Sequence, residues 1–299
     1  MRKINVLAGL AALGSASLAW AAPVFSETFD SASSSTRFNV TSIAGSADTI
    51  TFGYDYSANS IPEAPNTPTG AAATRGLIIQ ANKPAGTTGA INGINIAPAV
   101  GGVSIAFTGD TILTFDMWLN VPTSLNNTTE QALFGINTDG VGVNSRTGGT
   151  QTGADGVWFH VANEGGYGNT SATANSRDYV AYINNTVPAG QRFDNGDAPF
   201  PTLFPNGPLV GAVGNGWVQV EVADIANQIT VKFNNTTVFS FVNTGPTDGS
   251  VFVGYQDPFS GSVGTSELFA IYDNLRVVPE PATLGLLAGA ALLALRRRG

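Results

Sequence analysis

The residues best equipped for chemistry fall in one stretch, Gly153-Ala154-Asp155-Gly156-Val157-Trp158-Phe159-His160-Val161-Ala162, followed by Glu164-Gly165-Gly166-Tyr167-Gly168. An ionised carboxylate only accepts hydrogen bonds, so Asp155 can take two donors from vicinal hydroxyls. Gly165 and Gly166, with Tyr167 beside them, lack the Cβ that would keep backbone amides away from a ring. Trp158 offers a flat apolar face to the C–H groups of a pyranose. Together these residue types suit recognition of a sugar, with no covalent step. A plainer alternative stands beside each: Asp-Gly is a common turn dipeptide, and a strand tryptophan packs into a core.

This stretch is similar to the Ala-Asp-Gly strand entry of legume-type lectins. The resemblance implies glycan-binding roles for Asp155 and for Gly165 or Gly166, with the aspartate accepting from sugar hydroxyls. The sequence departs from those lectins where they bind calcium and a transition metal. Asp178-Tyr179-Val180-Ala181-Tyr182-Ile183-Asn184-Asn185 offers one carboxylate and two amides, whereas calcium wants about six or more oxygens. No metal ligand is therefore assigned, and no cofactor is expected beyond calcium held loosely by the acidic excess.

Catalytic constellations are hard to assemble. The chain has no cysteine, which excludes thiolate zinc sites and cysteine nucleophiles, and His160 is its one histidine. His160 shares a strand face with Trp158 and Ala162 and reads as a hydrogen-bonded structural residue. Laminarinase-type glycosidases carry Glu-x-Asp-x-x-Glu on one strand, and no such triplet occurs here. Glu221 and Asp224, three apart, point to opposite faces of a strand. No catalytic residue is assigned.

The elements that must position these groups read as strands throughout. Glycine (36 residues) and proline (16) punctuate segments rich in valine, threonine and asparagine. In Thr111 to Val121, the row Leu113, Phe115, Met117, Leu119 forms a core face, and Ile112, Thr114, Asp116, Trp118 form the other. Short strands are expected from Ser26 to Asp30, Phe38 to Ile43, Thr49 to Tyr56, Gly76 to Ala81, Val103 to Phe107, Gln131 to Asn137, Asp155 to Ala162 and Asp178 to Asn184. More follow at Gly216 to Ala223, Gln228 to Phe233, Thr237 to Val242, Ser250 to Tyr255 and Glu267 to Val278. Asn59 to Thr74 reads as a loop, and the Gly/Pro-rich stretch after Ala81 is left unassigned as far as Gly102. Regular short strands with Asn-Gly, Asp-Gly and Asn-Asn turns predict an all-β, antiparallel two-sheet sandwich. From Gly216 to Val277 the strand order resembles the C-terminal half of concanavalin A-like jelly rolls, which include laminin G-type modules. That resemblance implies that the last strand lies beside the first.

Both ends read as addresses. Arg2 and Lys3, the apolar run Ile4 to Leu18 and Ala19-Trp20-Ala21 make a secretory signal peptide over residues 1–21, to be cut by a signal peptidase. At the other end Pro279-Glu280-Pro281 precedes an uncharged run, Ala282 to Leu295, and then Arg296, Arg297 and Arg298. As a helix that run reaches roughly 20 Å, short of the roughly 30 Å hydrocarbon core. The arginines would stay cytoplasmic. This order resembles the PEP-CTERM sorting signal of Gram-negative bacteria, which implies an exosortase-type processing enzyme as partner and transient residence in the inner membrane through a C-terminal hydrophobic helix.

The expected organisation is thus a signal peptide (1–21), one β-sandwich domain (22–277) and a sorting segment (278–299). Between the ends, 8 basic residues face 20 acidic ones, so the body is strongly acidic and nucleic acid is not expected as a partner. The reading is an exported, non-catalytic protein of the cell surface or extracellular matrix that binds polysaccharide. A purely structural matrix or surface-layer role is the alternative, and a glycoside hydrolase-like enzyme a third.

Overall fold

A computed structural model describes residues 22–43, 48–81, 92–121, 130–147, 150–152, 155–162, 178–258 and 268–279. Gly165, Gly166, Tyr167, Glu280, Pro281, Arg296, Arg297, Arg298 and the expected signal peptide lie outside them. So does the expected C-terminal helix. No helix among the described residues is long and apolar enough to cross a membrane.

Eighteen strands carry the described chain. The first six are β1 (Phe25–Glu27), β2 (Phe38–Ser42), β3 (Thr49–Asp55), β4 (Arg75–Gln80), β5 (Asn92–Val100) and β6 (Val103–Ser104). Then come β7 (Thr111–Asn120), β8 (Gln131–Thr138), β9 (Ser145–Thr147), β10 (Thr150–Thr152), β11 (Val157–Ala162) and β12 (Tyr179–Ile183). The last are β13 (Arg192–Phe193), β14 (Trp217–Ile225), β15 (Gln228–Phe233), β16 (Thr236–Val242), β17 (Ser250–Asp257) and β18 (Phe269–Pro279). One short helix, α1 (Phe200–Leu203), precedes β14.

Sixteen of these strands form two antiparallel sheets, and β9 pairs with β10 in a separate two-stranded ribbon. One runs β16-β15-β14-β7-β18-β4-β3, with β1 also paired to β18. The other runs β13-β12-β11-β8-β17-β5-β2, with β6 on β5. The first strand does lie beside the last: Phe25 stands opposite Val277. The chain is therefore an all-β two-sheet sandwich, as its strand spacing predicts.

Period-two alternation builds the core. Leu113, Phe115, Met117 and Leu119 of β7 all face inward, against Phe134 and Val253 of the opposite sheet and their neighbours. Each such side chain, fully buried, contributes about 1.5–3 kcal/mol. With no disulfide possible, this interface between sheets holds the domain together. Two-residue turns set the strand register. Asn234 and Asn235 join β15 to β16 with φ of 47° and 65°, the left-handed pair that a type I′ hairpin needs.

The second sheet is buried on both faces. Its outer side carries Leu133, Trp158, Val180, Tyr182 and Phe252 in one cluster. The first sheet carries an outer cluster too, of Tyr56, Ile61, Ile78, Trp118, Phe269 and Ile271, with Tyr54 and Trp217 at its margin.

Candidate functional site

Asp155 stands at the entry to β11, at the end of the sandwich. Its Oδ2 accepts the backbone N–H of Asp139, and its own N–H and C=O are clamped by the side chain of Asn144. Partial burial raises its pKa, opposed by the Asp139 N–H. The carboxyl group is thus turned toward neighbouring loops.

Trp158, which the sequence offers either to a ligand or to a core, is fully buried and packs as a core residue. One face of its indole stacks on Tyr182 with centroids 4.0 Å apart, and its Nε1 donates to the carbonyl of Asn184 at 2.8 Å. The physical reason is the double-sided burial of this sheet, which turns an outward-facing aromatic into packing. His160, on the same face, is buried and hydrogen-bonded through Nδ1 to the Tyr182 hydroxyl at 3.0 Å, the structural role expected of it.

The carboxylates divide as the strand period requires. Glu221 faces outward and pairs with Lys232 at 2.7 Å. Asp224 faces inward, where the amides of Asn137 and Asn243 both donate to its Oδ2 at 2.8 Å. A closer pair, invisible in the sequence, is Asp116 with Asp273, opposite one another on β7 and β18. Both are sealed: Asn66 and Asn274 donate to Asp116, and the Tyr56 hydroxyl and Asn274 N–H donate to Asp273. Among the described residues, no group of three or more acidic or histidine side chains could hold a metal ion.

An open pocket of about 260 Å³ lies at the start of β14. Trp217 and Phe204, both half-buried, line it together with Asn206, Asn215, Gly216 and Asn234. Trp217 is fixed from behind, its ring packing at steep angles on Tyr56 (5.3 Å) and Trp118 (5.8 Å) and its Nε1 donating to the carbonyl of Pro62 at 2.7 Å. Phe204 leans on Phe233 of the core, with centroids 6.3 Å apart. The pocket therefore spans the outer aromatic cluster and the interior.

Its far wall, residues 194–216, has little regular structure and is held by anchors. Phe200 is buried and stacks on Tyr179 at 3.7 Å, and the Tyr179 hydroxyl donates to Gly211 O at 2.6 Å while accepting the N–H of Val213. The Asn195 amide donates to Val210 O. Gly211 has φ of 84°, and a Cβ there would stand 1.9 Å from Asn195 O, so only glycine fits.

The polar groups of the pocket are carboxamides. Asn215 spends its amide on both backbone groups of Val121. Asn234 accepts Gln219 N–H through Oδ1. The amide of Asn206 and the Nδ2 of Asn234 make no hydrogen bond among the described residues, and both side chains are exposed. Two aromatic rings with amides that both donate and accept form a surface that can stack on an apolar ring face and meet its hydroxyls at the edge.

No protein-family model matches this chain, and neither does any curated protein. Solved structures of similar layout include a Bacillus subtilis protein of unknown function with a galectin-like fold. It has 11% identity and a TM-score of 0.46, with 87% of this chain and 97% of that one covered. Another is the carbohydrate-binding module CBM66 of Bacillus subtilis, at 9% identity and TM-score 0.37, covering 68% and 86%. A third is the exoplasmic/lumenal domain of VIP36 in a Ca2+- and mannose-bound form, at 10% and 0.41, covering 77% and 82%. Likeness at this level says nothing of ligand or activity. The two sheets themselves define the class, an antiparallel β-sandwich, here with a pocket walled by aromatic rings and amides.

Proposed function

We propose that this protein is an exported, non-catalytic β-sandwich that binds glycan at the cell surface or in the extracellular matrix. The observation that carries the reading is the pocket of Phe204, Trp217, Asn206 and Asn234, whose rings are held rigidly from behind and whose amides face solvent. Pre-set aromatic faces lose little freedom on binding, which favours a weakly interacting ligand such as a sugar. The export half rests on the sequence. A signal peptidase would remove residues 1–21, and an exosortase-type enzyme would act on the segment from Val278 while its apolar run is in the inner membrane. Compatible with this, Val278 is buried opposite Ile112 and Pro279, the first residue of the Pro-Glu-Pro triplet, is the last of β18.

A purely structural role is the second reading, favoured by the burial of Trp158 and the engagement of Asp155 with Asp139. An array of bacterial and plant polysaccharides separates the two. A Cβ added at Gly216 meets nothing nearer than Gly214 O at 4.0 Å, so Gly216→Leu narrows the pocket without strain. Binding that Gly216→Leu abolishes supports the glycan reading, and an array with no bound glycan leaves the structural one. Cell fractionation with intact-mass analysis tests export, and a full-length chain kept in the inner membrane would refute sorting.

A further inference from the structure

We infer that the pocket between Phe204 and Trp217 selects one uncharged pyranose ring, a neutral hexose or N-acetylhexosamine, and rejects uronic acids and sulfated sugars. This rests on the glycan reading of the same site.

Charge is the first argument. None of the twelve residues lining the pocket is ionisable. A carboxylate or sulfate entering it would give up water without gaining a cation. The surrounding field adds to the rejection, since the chain carries a net charge of −8 and its pI is near 4.5. An extended anionic polymer would meet that repulsion along its whole length, whereas a neutral one meets none.

Size is the second. At about 260 Å³ the pocket lies below the ~300 Å³ at which sites for drug-sized ligands begin. That suits a single six-membered ring with its hydroxyls.

Polarity is the third. A sugar hydroxyl both donates and accepts, and a carboxamide is the side chain that answers both functions without charge. Asn206 has its whole amide to give and Asn234 its Nδ2, on opposite sides of the Trp217 ring in the sequence and together in the pocket. An acetamido group would find the same partners.

The test uses the full chain in a sugar-free detergent, titrated calorimetrically with neutral oligosaccharides (gluco-, manno-, galacto- and chito-series) and with oligouronates and a sulfated galactan. The expected result is binding of at least one neutral series and none of the anionic ones, with a loss of about fivefold in Asn206→Ala, the value of one hydrogen bond. The Asn206 side chain has no hydrogen-bond partner among the described residues, so the thermal midpoint of that variant is expected to stay at the wild-type value. Equal or tighter binding of an anionic series would overturn the neutral assignment and leave glycan binding standing. Neutral binding unchanged in both Asn206→Ala and Gly216→Leu would place the site elsewhere. Binding of nothing in either class would remove the glycan reading itself.

Discussion

Asp116 and Asp273 face each other across β7 and β18, with 0% and 1% of their surfaces exposed, and between them they fasten the loop of residues 60–74 to the outer face of the first sheet. Asn66, in that loop, donates its backbone N–H and its amide to Asp116 at 3.0 and 2.7 Å. Tyr56, where the loop begins, donates to Asp273 at 3.1 Å and accepts the N–H of Ala64 at 3.2 Å. Two acids this close and this dry cannot both ionise cheaply. Burial, with the charges of Asp116 and Asp30 adding to it, pushes the Asp273 pKa up to about 8. Asp116 is raised as well, by burial, though its amide donors oppose the shift.

The sign of the pH dependence follows. An aspartate with a folded pKa near 8 and an unfolded one near 4 is protonated in the native state over a range where the unfolded chain has released its proton. Its contribution is complete below pH 4 and is lost as pH rises to about 8. Urea midpoints should fall between pH 5 and pH 8.5, by a stability change on the order of a few kcal/mol. Asp273→Asn should flatten that slope. An unchanged slope in the variant would show that Asp273 is ionised in the native state.

Tyr56→Phe keeps the ring that backs Trp217 and removes the hydroxyl. Asp273 Oδ2 loses its donor and Ala64 N–H its acceptor. The expected cost is about 1–3 kcal/mol in denaturant unfolding, the penalty for stranding buried polar groups. A null effect would mean water takes the place of the hydroxyl and the loop is less closed than the geometry indicates.

Trp158→Ala should behave as a core truncation, costing about 3–5 kcal/mol, because the indole is fully buried on Tyr182 and its N–H is used by Asn184. Glycan affinity, measured on whatever fraction folds, should be unaffected. A stable Trp158→Ala with weakened glycan binding would restore the ligand-stacking reading of this residue over the core-packing one.

How much was legible in the sequence depended on where water is. Gln228–Phe233 alternates exposed and buried along its length, and its bounds are those expected from period two. In the second sheet both faces are covered, so β11, β12 and β8 read as continuous apolar runs, still recognisable by length. β5 went unread because Asn92, Gly93, Asn95 and Pro98 interrupt it. Two of these are accommodated by their neighbours: a Cβ at Gly93 would stand 2.8 Å from the Ser145 side chain, and Pro98 needs no N–H beside Phe38. Gly254, opposite Asn95, would put a Cβ 2.1 Å from Ile94 O. The stretch around Asp155 stood out because its residues are adjacent in sequence. The Asp116–Asp273 pair and the pocket were not, since one joins residues 157 apart in sequence and the other gathers its rings and amides from three separate segments.

The proposed boundary between domain and sorting segment lies at the end of β18, and truncation makes that a measurement. Leu275, Val277 and Val278 of β18 are all buried, and Leu275, Arg276 and Val277 pair with β1 while Arg276, Val277 and Val278 pair with β7. Removing those three apolar side chains alone forfeits roughly 5–9 kcal/mol at about 1.5–3 kcal/mol each. That equals most of the 5–15 kcal/mol typical of a whole domain. A chain ending at Asp273 should therefore fail to fold. A chain ending at Pro279 keeps every one of those contacts and should unfold at the same temperature as the full chain. If instead it melts several degrees lower, the residues beyond Pro279 belong to the sandwich, and their reading as a sorting segment fails.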